Sequence, residues 1–188
     1  HSGRYAASER IFNFDRPTAQ LRGKRWGIIG LGNIGREVGR LAEAFGCEVT
    51  YHSTSGITRQ ERYRELSLEE LLTTSDIVSI HCPLNERTAG LIGDKELATM
   101  KSSAILINVA RGGIVDETAL AAALDNGVIR GAALDVFSSE PLRESPLYNI
   151  KDKYRLLASP HNAWSSVEAI DRLIGCIAQN IAEYVQEH

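Results

Sequence analysis

Cysteine is scarce in this 188-residue chain, and the three present (Cys47, Cys82 and Cys176) are odd in number and far apart. That spacing makes no metal-ligand set and no disulfide framework, so each reads as a small buried apolar residue in a reducing, cytoplasmic setting, with no metal expected. Charge of one sign is also lacking. The net charge is −3 and no basic block stands out, which argues against nucleic acid and against acidic membranes as partners. The apolar runs are too short to span a bilayer. The opening residues His1, Ser2, Gly3, Arg4 and Tyr5 do not read as a secretory leader. Repeats and low-complexity tracts are missing as well. What is present is 43% hydrophobic and 24% charged residues, the balance of an ordinary globular domain with a real core.

Residues 1–24 are polar and irregular, broken by Pro17 and Gly23. From there the pattern alternates. Strands are expected at 26–29, 48–52, 76–82, 104–109, 131–137 and 155–159. A helix should follow the first strand, with Ile34, Val38, Leu41, Ala42 and Phe45 on its inner face and Gly46 as its stop. Further helices are expected from the capping-box spacing of Ser67 to Glu70, at 95–101, at 116–126, and from a second capping box, Ser165 to Glu168. The last helix should be a packing helix, with Val167, Ile170, Leu173, Ile174, Ile177 and Ile181 along one face. Strands alternating with helices predict a doubly wound parallel sheet: an α/β, Rossmann-type fold forming a single cofactor-binding domain over residues 1–188. Binding sites in such sheets lie at the carboxyl ends of the strands.

After the first strand comes Gly30-Leu31-Gly32-Asn33-Ile34-Gly35, a G-x-G-x-x-G run with a strand before it and a helix after it. Gly30 suits the tight turn, Gly32 lets a pyrophosphate approach the backbone, and Gly35 lets the helix pack closely. The free N–H groups and dipole of the helix N-terminus then favour phosphates. The carboxylate expected at the end of the second strand, where it would hold ribose hydroxyls, is missing: the chain there reads Tyr51-His52-Ser53-Thr54-Ser55. The hydroxyls of Ser53 and Thr54 would not repel a 2′-phosphate, and Arg59 could pair with one. These residues favour NADP over NAD. The alternative is that Ser53 bonds an unphosphorylated ribose while Arg59 is a solvated surface charge, and both cofactors stay open at this point.

Three other strand ends carry polar residues: Arg111 after the fourth, Asp135 and Glu140 after the fifth, and His161 after the sixth. Alone, each is commonplace. A loop Arg is usually a surface charge, a His after a Pro is usually structural, and an acid before a Pro is usually a solvated turn residue. Together beside a nicotinamide they form a chemical set. Arg111 can grip a carboxylate through two parallel hydrogen bonds. His161 can donate and retrieve a proton near neutral pH. Glu140 can orient His161 and favour its protonated form.

With these residues in view the chain resembles the D-isomer-specific 2-hydroxyacid dehydrogenase family, which includes phosphoglycerate, glycerate (hydroxypyruvate reductase) and formate dehydrogenases. The resemblance runs through residues 27–35, 75–83, 107–116, 131–141 and 159–164. It implies that Arg111 binds substrate and that Glu140 and His161 are the acid–base pair. It further implies that Asp135 holds the nicotinamide carboxamide, that Asn33 and Ile34 meet the pyrophosphate, and that Pro83, Val109 and Ala110 line the cofactor cleft. Trp164, after His-Asn-Ala, looks most like the glycerate dehydrogenase branch and joins the cofactor-binding set. Glu140 argues against formate dehydrogenase, whose His pairs with an amide. The implied reaction is hydride transfer between NAD(P)H and a small 2-oxo or 2-hydroxy acid. Two competing readings are a dinucleotide-sensing binding domain without turnover, like the corepressors that resemble this family, and a truncated, inactive cofactor domain. The resemblance implies a second, substrate-binding domain of roughly 100 residues that is not expected within this chain, so slow turnover or none is expected of these 188 residues. The family also implies a homodimer, with the segment 11–21 resembling part of its arm; Phe12, Phe14 and Leu21 are candidate anchors there, and packing on the domain's own surface is an equal alternative for them.

Overall fold

The computed structural model describes residues 18–57 and 61–187. Among the described residues seven strands form one all-parallel sheet: β1 (Arg25–Ile29), β2 (Glu48–His52), β3 (Arg64–Glu65), β4 (Ile77–Ile80), β5 (Ile105–Asn108), β6 (Gly131–Leu134) and β7 (Leu156–Ala158). Their order is β3-β2-β1-β4-β5-β6-β7. The chain builds outward from β1 on one side and then crosses back to place β4 on the other. That reversal opens a crevice beside the carboxyl ends of β1 and β4.

The register sharpens this. Ile29 pairs with both His52 and Ile80, Ile80 with Asn108, Asn108 with Leu134, and Leu134 with Ala158. Six strands therefore end level with one another, and the loops that leave them rise from a single edge.

The helices are α1 (Asn33–Ala44), α2 (Leu68–Thr74), α3 (Asp94–Thr99), α4 (Glu117–Asp125) and α5 (Val167–Glu187). Parallel strands covered on both faces read as unbroken apolar runs, and Ile77, Val78, Ser79 and Ile80 of β4 are all buried. Ile28, Ile29, Leu71, Leu106, Leu120 and Ile129 are fully buried, each worth roughly 1.5–3 kcal/mol of transfer free energy.

Several expectations are corrected. The strand β3 was not anticipated: two exposed charged residues carry no apolar signal. The sequence pattern also over-extends β4, β5 and β6 by one to three residues at their ends. On α1, the buried residues are Gly35, Gly39 and Ala42, while Ile34, Leu41 and Phe45 are exposed. The helix lies too close to its neighbours for larger residues, since a Cβ on Gly39 would stand 2.7 Å from the Tyr63 ring.

The cap of α2 is as expected, with Ser67 accepting from the Glu70 N–H at 3.1 Å. At α5 the cap is instead Ser166, which accepts from Ala169 N–H, while Ser165 donates to the Asn162 carbonyl. Of the α5 stripe expected to pack, Val167, Leu173, Ile174, Ile177 and Ile181 are exposed and only Ile170 is half-buried. Cys47 and Cys82 are buried, but Cys176, on that helix, is exposed.

Candidate active site

The first part of the level edge is the phosphate loop. Gly30 has φ +91°, and a Cβ there would lie 2.7 Å from the Cys82 backbone N, so a side chain is excluded by conformation and by space. A Cβ on Gly35 would lie 2.3 Å from the Gly30 carbonyl O, whereas Gly32 faces open space. The turn is thus closed against the protein and open on the side where α1 presents its unpaired N–H groups, which fits a pyrophosphate.

Beside it is a cavity of about 210 Å³, and Gly30, Gly32, Ser53, Thr54 and Pro83 of the expected cofactor set are in its wall. Arg59 lies outside the described residues. Asn33, Ile34, Val109, Ala110, Asp135 and Trp164 are not in this wall. Ile34 and Trp164 are exposed, and Val109 lies in an apolar groove with Leu21, Trp26, Leu41 and Phe45.

Residues the sequence reading missed complete the wall: Tyr51, Ser55, Ile57, Glu61, His81 and Cys82. Glu61 is the notable addition, an acid in the cavity although none stands at the end of β2. Arg36 on α1 grips it through two bonds, Nε at 3.1 Å and Nη2 at 2.5 Å. A bidentate pair of this kind largely neutralises the carboxylate. The hydrogen bonds that Arg36 donates to Glu61 are also the main cause that raises Arg36 above its usual value. His81 adds no charge. Burial pushes it down to about 4, Ser79 Oγ lies 3.0 Å from its Nε2, and its Nδ1 is buried with no partner among the described residues.

At the other end of the edge, three loops converge. After β5, buried Asn108 shapes the loop that carries Arg111. Its Oδ1 accepts from Ala110 N–H at 3.0 Å and its Nδ2 donates to the Arg111 carbonyl at 2.9 Å. The Arg111 guanidinium is exposed, donates to the Ala110 carbonyl, and has no ion pair among the described residues, leaving most of its donor fork available.

After β6 and β7, Glu140 and His161 meet directly. His161 Nδ1 lies 2.6 Å from Glu140 Oε2, and Glu140 Oε1 accepts from the Phe137 N–H at 2.9 Å. The bond from His161, then that from Phe137, hold the Glu140 carboxyl below its usual range against a smaller opposing effect of burial. His161 Nε2 has no partner among the described residues.

His161 itself has φ +51°, a conformation that costs a non-glycine residue about 1 kcal/mol or more unless its surroundings impose it. Asp135 imposes it. This carboxylate, 3% exposed, accepts from Ser159 Oγ at 2.6 Å, Asn162 N–H at 3.0 Å and Ala163 N–H at 2.9 Å. Burial pushes Asp135 up, but the bonds from Ser159, Ala163 and Asn162 together outweigh it and hold the carboxyl below its usual range. Trp164 donates from Nε1 to the His161 carbonyl.

The Glu140–His161 pair is thus brought together. Arg111 stands on an adjacent loop of the same edge, touching neither. Among the described residues no group of three His, Cys, Asp or Glu could hold a metal, and no helix is long and apolar enough to cross a membrane.

The family description "D-isomer specific 2-hydroxyacid dehydrogenase, NAD binding domain" matches residues 3–163. The chain belongs to that family. It is 44% identical over 173 residues to a glyoxylate reductase of Aeropyrum pernix, covering 89% of this chain and 50% of that protein. It is 38% identical over 183 residues to a glycerate dehydrogenase of Methylorubrum extorquens, covering 97% of this chain and 57% of that protein. Among solved structures, an acyclic imino acid reductase in complex with NADPH and D-Arg superposes with a TM-score of 0.87 at 31% identity, over 98% of this chain and 58% of that one. The chain therefore spans between half and three fifths of the length of these relatives.

Proposed function

We propose that this domain supplies the cofactor site and the acid–base pair of an oxidoreductase that reduces a small 2-oxo acid to a D-2-hydroxy acid. The observation that carries the reading is the Glu140–His161 pair, with Nδ1 bonded at 2.6 Å and Nε2 turned to no other described residue. When bound, NAD(P)H supplies the hydride that reaches the substrate's C2. Arg111 grips the substrate carboxylate with its free donor fork. Protonated His161 donates from Nε2 to the carbonyl oxygen, which becomes the hydroxyl, and recovers that proton in the reverse direction. Glu140 accepts from Nδ1–H throughout, stabilising the charged imidazolium and fixing its tilt. Gly30, Gly32, Asn33, Ile34 and Gly35 take the pyrophosphate. The family resemblance adds Pro83, Val109, Ala110 and Trp164 to the cofactor-binding set. Asp135, besides holding the His161 turn with three accepted bonds, has one acceptor site left for the carboxamide.

The names of the relatives suggest glyoxylate or hydroxypyruvate as substrate. NADP is favoured over NAD. The support is the set of hydroxyls of Ser53, Thr54 and Ser55 at the end of β2 and the neutralisation of Glu61 by Arg36. Arg87, which donates to the Ser55 carbonyl at 3.3 Å, adds positive charge over the same turn. We assign the working enzyme a second, substrate-binding domain, a cytoplasmic location, and a homodimer in which the apolar groove around Trp26, Leu41 and Phe45 is covered.

Calorimetric titration of this chain with NADH and NADPH tests the cofactor reading. The expected result is tighter NADPH binding, weakened by Arg59→Ala. Tighter NADH binding would reverse the preference, and binding of neither would remove the phosphate-loop argument. The 188-residue chain itself is expected to bind cofactor and turn over slowly or not at all.

A further inference from the structure

The loops that carry Arg111 and Glu140 leave different strands, yet they are tied together at two points. A Cβ on Gly112 would stand 1.8 Å from the Phe137 carbonyl O, so the two backbones cross in contact. The second tie is Glu117, the first residue of α4. Its Oε1 accepts from the Ser138 N–H at 2.6 Å, and its Oε2 accepts from the Ser145 hydroxyl at 2.8 Å. Ser138 and Ser145 bracket the segment that presents Glu140, so both ends of that segment rest on one carboxylate. The helix does not need Glu117 as a cap. Asp116 already fills that place, accepting from the N–H groups of Thr118 and Ala119 at 2.8 and 3.0 Å. A first-turn acid ordinarily faces water and the helix dipole; this one has both oxygens committed to the neighbouring loop. Bonds of neutral donors to an ionised acceptor are short and strong, and two of them on one rigid helix start define a position.

We propose that Glu117 is a positioning residue for the acid–base pair: by stapling residues 138 and 145 to the start of α4 it holds Glu140 where it meets His161, and it links that pair to the loop of Arg111. Phe137 and Ser138, adjacent in the chain, give their N–H groups to Glu140 and Glu117 respectively. Loss of the second bond therefore loosens the first. The inference rests on the reading of Glu140 and His161 given above, and extends it to a residue that touches neither substrate nor cofactor.

The test follows the Glu140 carboxyl by ¹³C NMR across the acid range, and the His161 Nδ1 proton in the same samples, in Glu117→Ala, Glu117→Gln and Ser145→Ala chains. In Glu117→Ala the Glu140 midpoint is expected to move up towards the ordinary carboxylate range, and the Nδ1 proton signal to be lost. Glu117→Gln should restore both, because its amide oxygen still accepts from Ser138 and its NH₂ can donate to Ser145. Ser145→Ala should give a smaller upward movement. In the complete enzyme, turnover by Glu117→Ala should fall roughly tenfold, with cofactor affinity within about twofold, as expected for a displaced catalytic group.

An unchanged Glu140 titration and Nδ1 signal in Glu117→Ala, with only a lower melting temperature, would reduce Glu117 to a first-turn acid and overturn the proposal. Should that variant not fold, an unchanged titration in Ser145→Ala overturns it equally. Turnover that survived His161→Gln would defeat the acid–base reading while leaving the NMR result intact, so the two failures are distinguishable.

Discussion

The two ends of the sheet's carboxyl edge are built by different physics. At β1 and β4 the site is made of backbone and empty space: Gly30, Gly32 and Gly35 matter because of side chains they lack. At β5, β6 and β7 it is made of carboxylates and an amide that bond their own loops: Asn108 holds the Arg111 loop, Asp135 the His161 turn, and Glu117 and Glu140 the segment between. A phosphate needs a cradle of N–H groups, which glycine sterics provide at no electrostatic cost. Proton transfer needs groups aimed to within fractions of an ångström, and only committed side chains can aim a loop. The two ends should therefore fail differently.

The largest break is at the proton donor. His161→Gln keeps a side chain that can hydrogen-bond but removes the transferable proton. Turnover in the complete enzyme should fall on the order of a hundredfold to ten-thousandfold. Cofactor affinity measured by calorimetry should be unchanged, because the phosphate loop lies at the other end of the edge. A parallel loss of cofactor binding would show that the two ends are not separable.

This division also explains what could be read in advance. Glycine patterns are local, so G-x-G-x-x-G between a strand and a helix points to the cradle without any tertiary knowledge. The placement of Arg111, Glu140 and His161 on one edge was legible because each follows a predicted strand, and parallel strands bring their ends together. Glu61 was not legible. It sits in a charged stretch that reads as solvated surface, and only β3 pairing with β2 folds it back to Arg36. Glu117 and the loop-holding role of Asp135 escaped for a similar reason, since their partners lie more than 20 residues away in the chain. The wheel of α1 misled because apolar residues were assigned to the core where the close approach to Tyr63 admits only glycine and alanine. The α5 stripe was read as packing from its period alone, and a period says that a face is apolar without saying what lies against it.

A middle-sized effect is expected at Asp135. Asp135→Asn keeps one acceptor oxygen but turns an NH₂ towards donors, leaving at least one of Ser159, Asn162 and Ala163 unpaired in a site that is 3% exposed. Urea unfolding should register a loss of about 2 kcal/mol. The loss depends on pH in a definite sense. Burial opposes the Asp135 charge, but its three bonds prevail and the carboxyl is held below its usual range. A depressed folded-state value means the stabilisation is fully present above the unfolded-state value, about 3.9, and disappears as pH falls through the folded-state value. The gap between wild type and Asp135→Asn should thus be constant from neutrality down to about pH 5 and close below that. A gap that instead widened on acidification would mean that Asp135 is protonated in the native state.

The smallest expected effect is at the cofactor end, where Ser53→Asp restores the acid that the end of β2 lacks. The position is partly exposed, and Ser53 Oγ lies 3.1 Å from Ser55 Oγ, so the change removes one weak neutral bond and should leave the melting temperature nearly unmoved. Its consequence is electrostatic. A carboxylate can accept both ribose hydroxyls of NADH but repels a 2′-phosphate. At effective dielectric constants near 20 such a like-charge contact is worth a few kcal/mol before salt screening, so NADPH affinity should drop about tenfold and NADH affinity rise by less. Raising the ionic strength should shrink the NADPH penalty, since this cavity is open to solvent. If both cofactors weakened alike and salt changed nothing, Ser53 would be acting through the shape of the turn. The cofactor end would then share the side-chain aiming that otherwise sets the catalytic end apart.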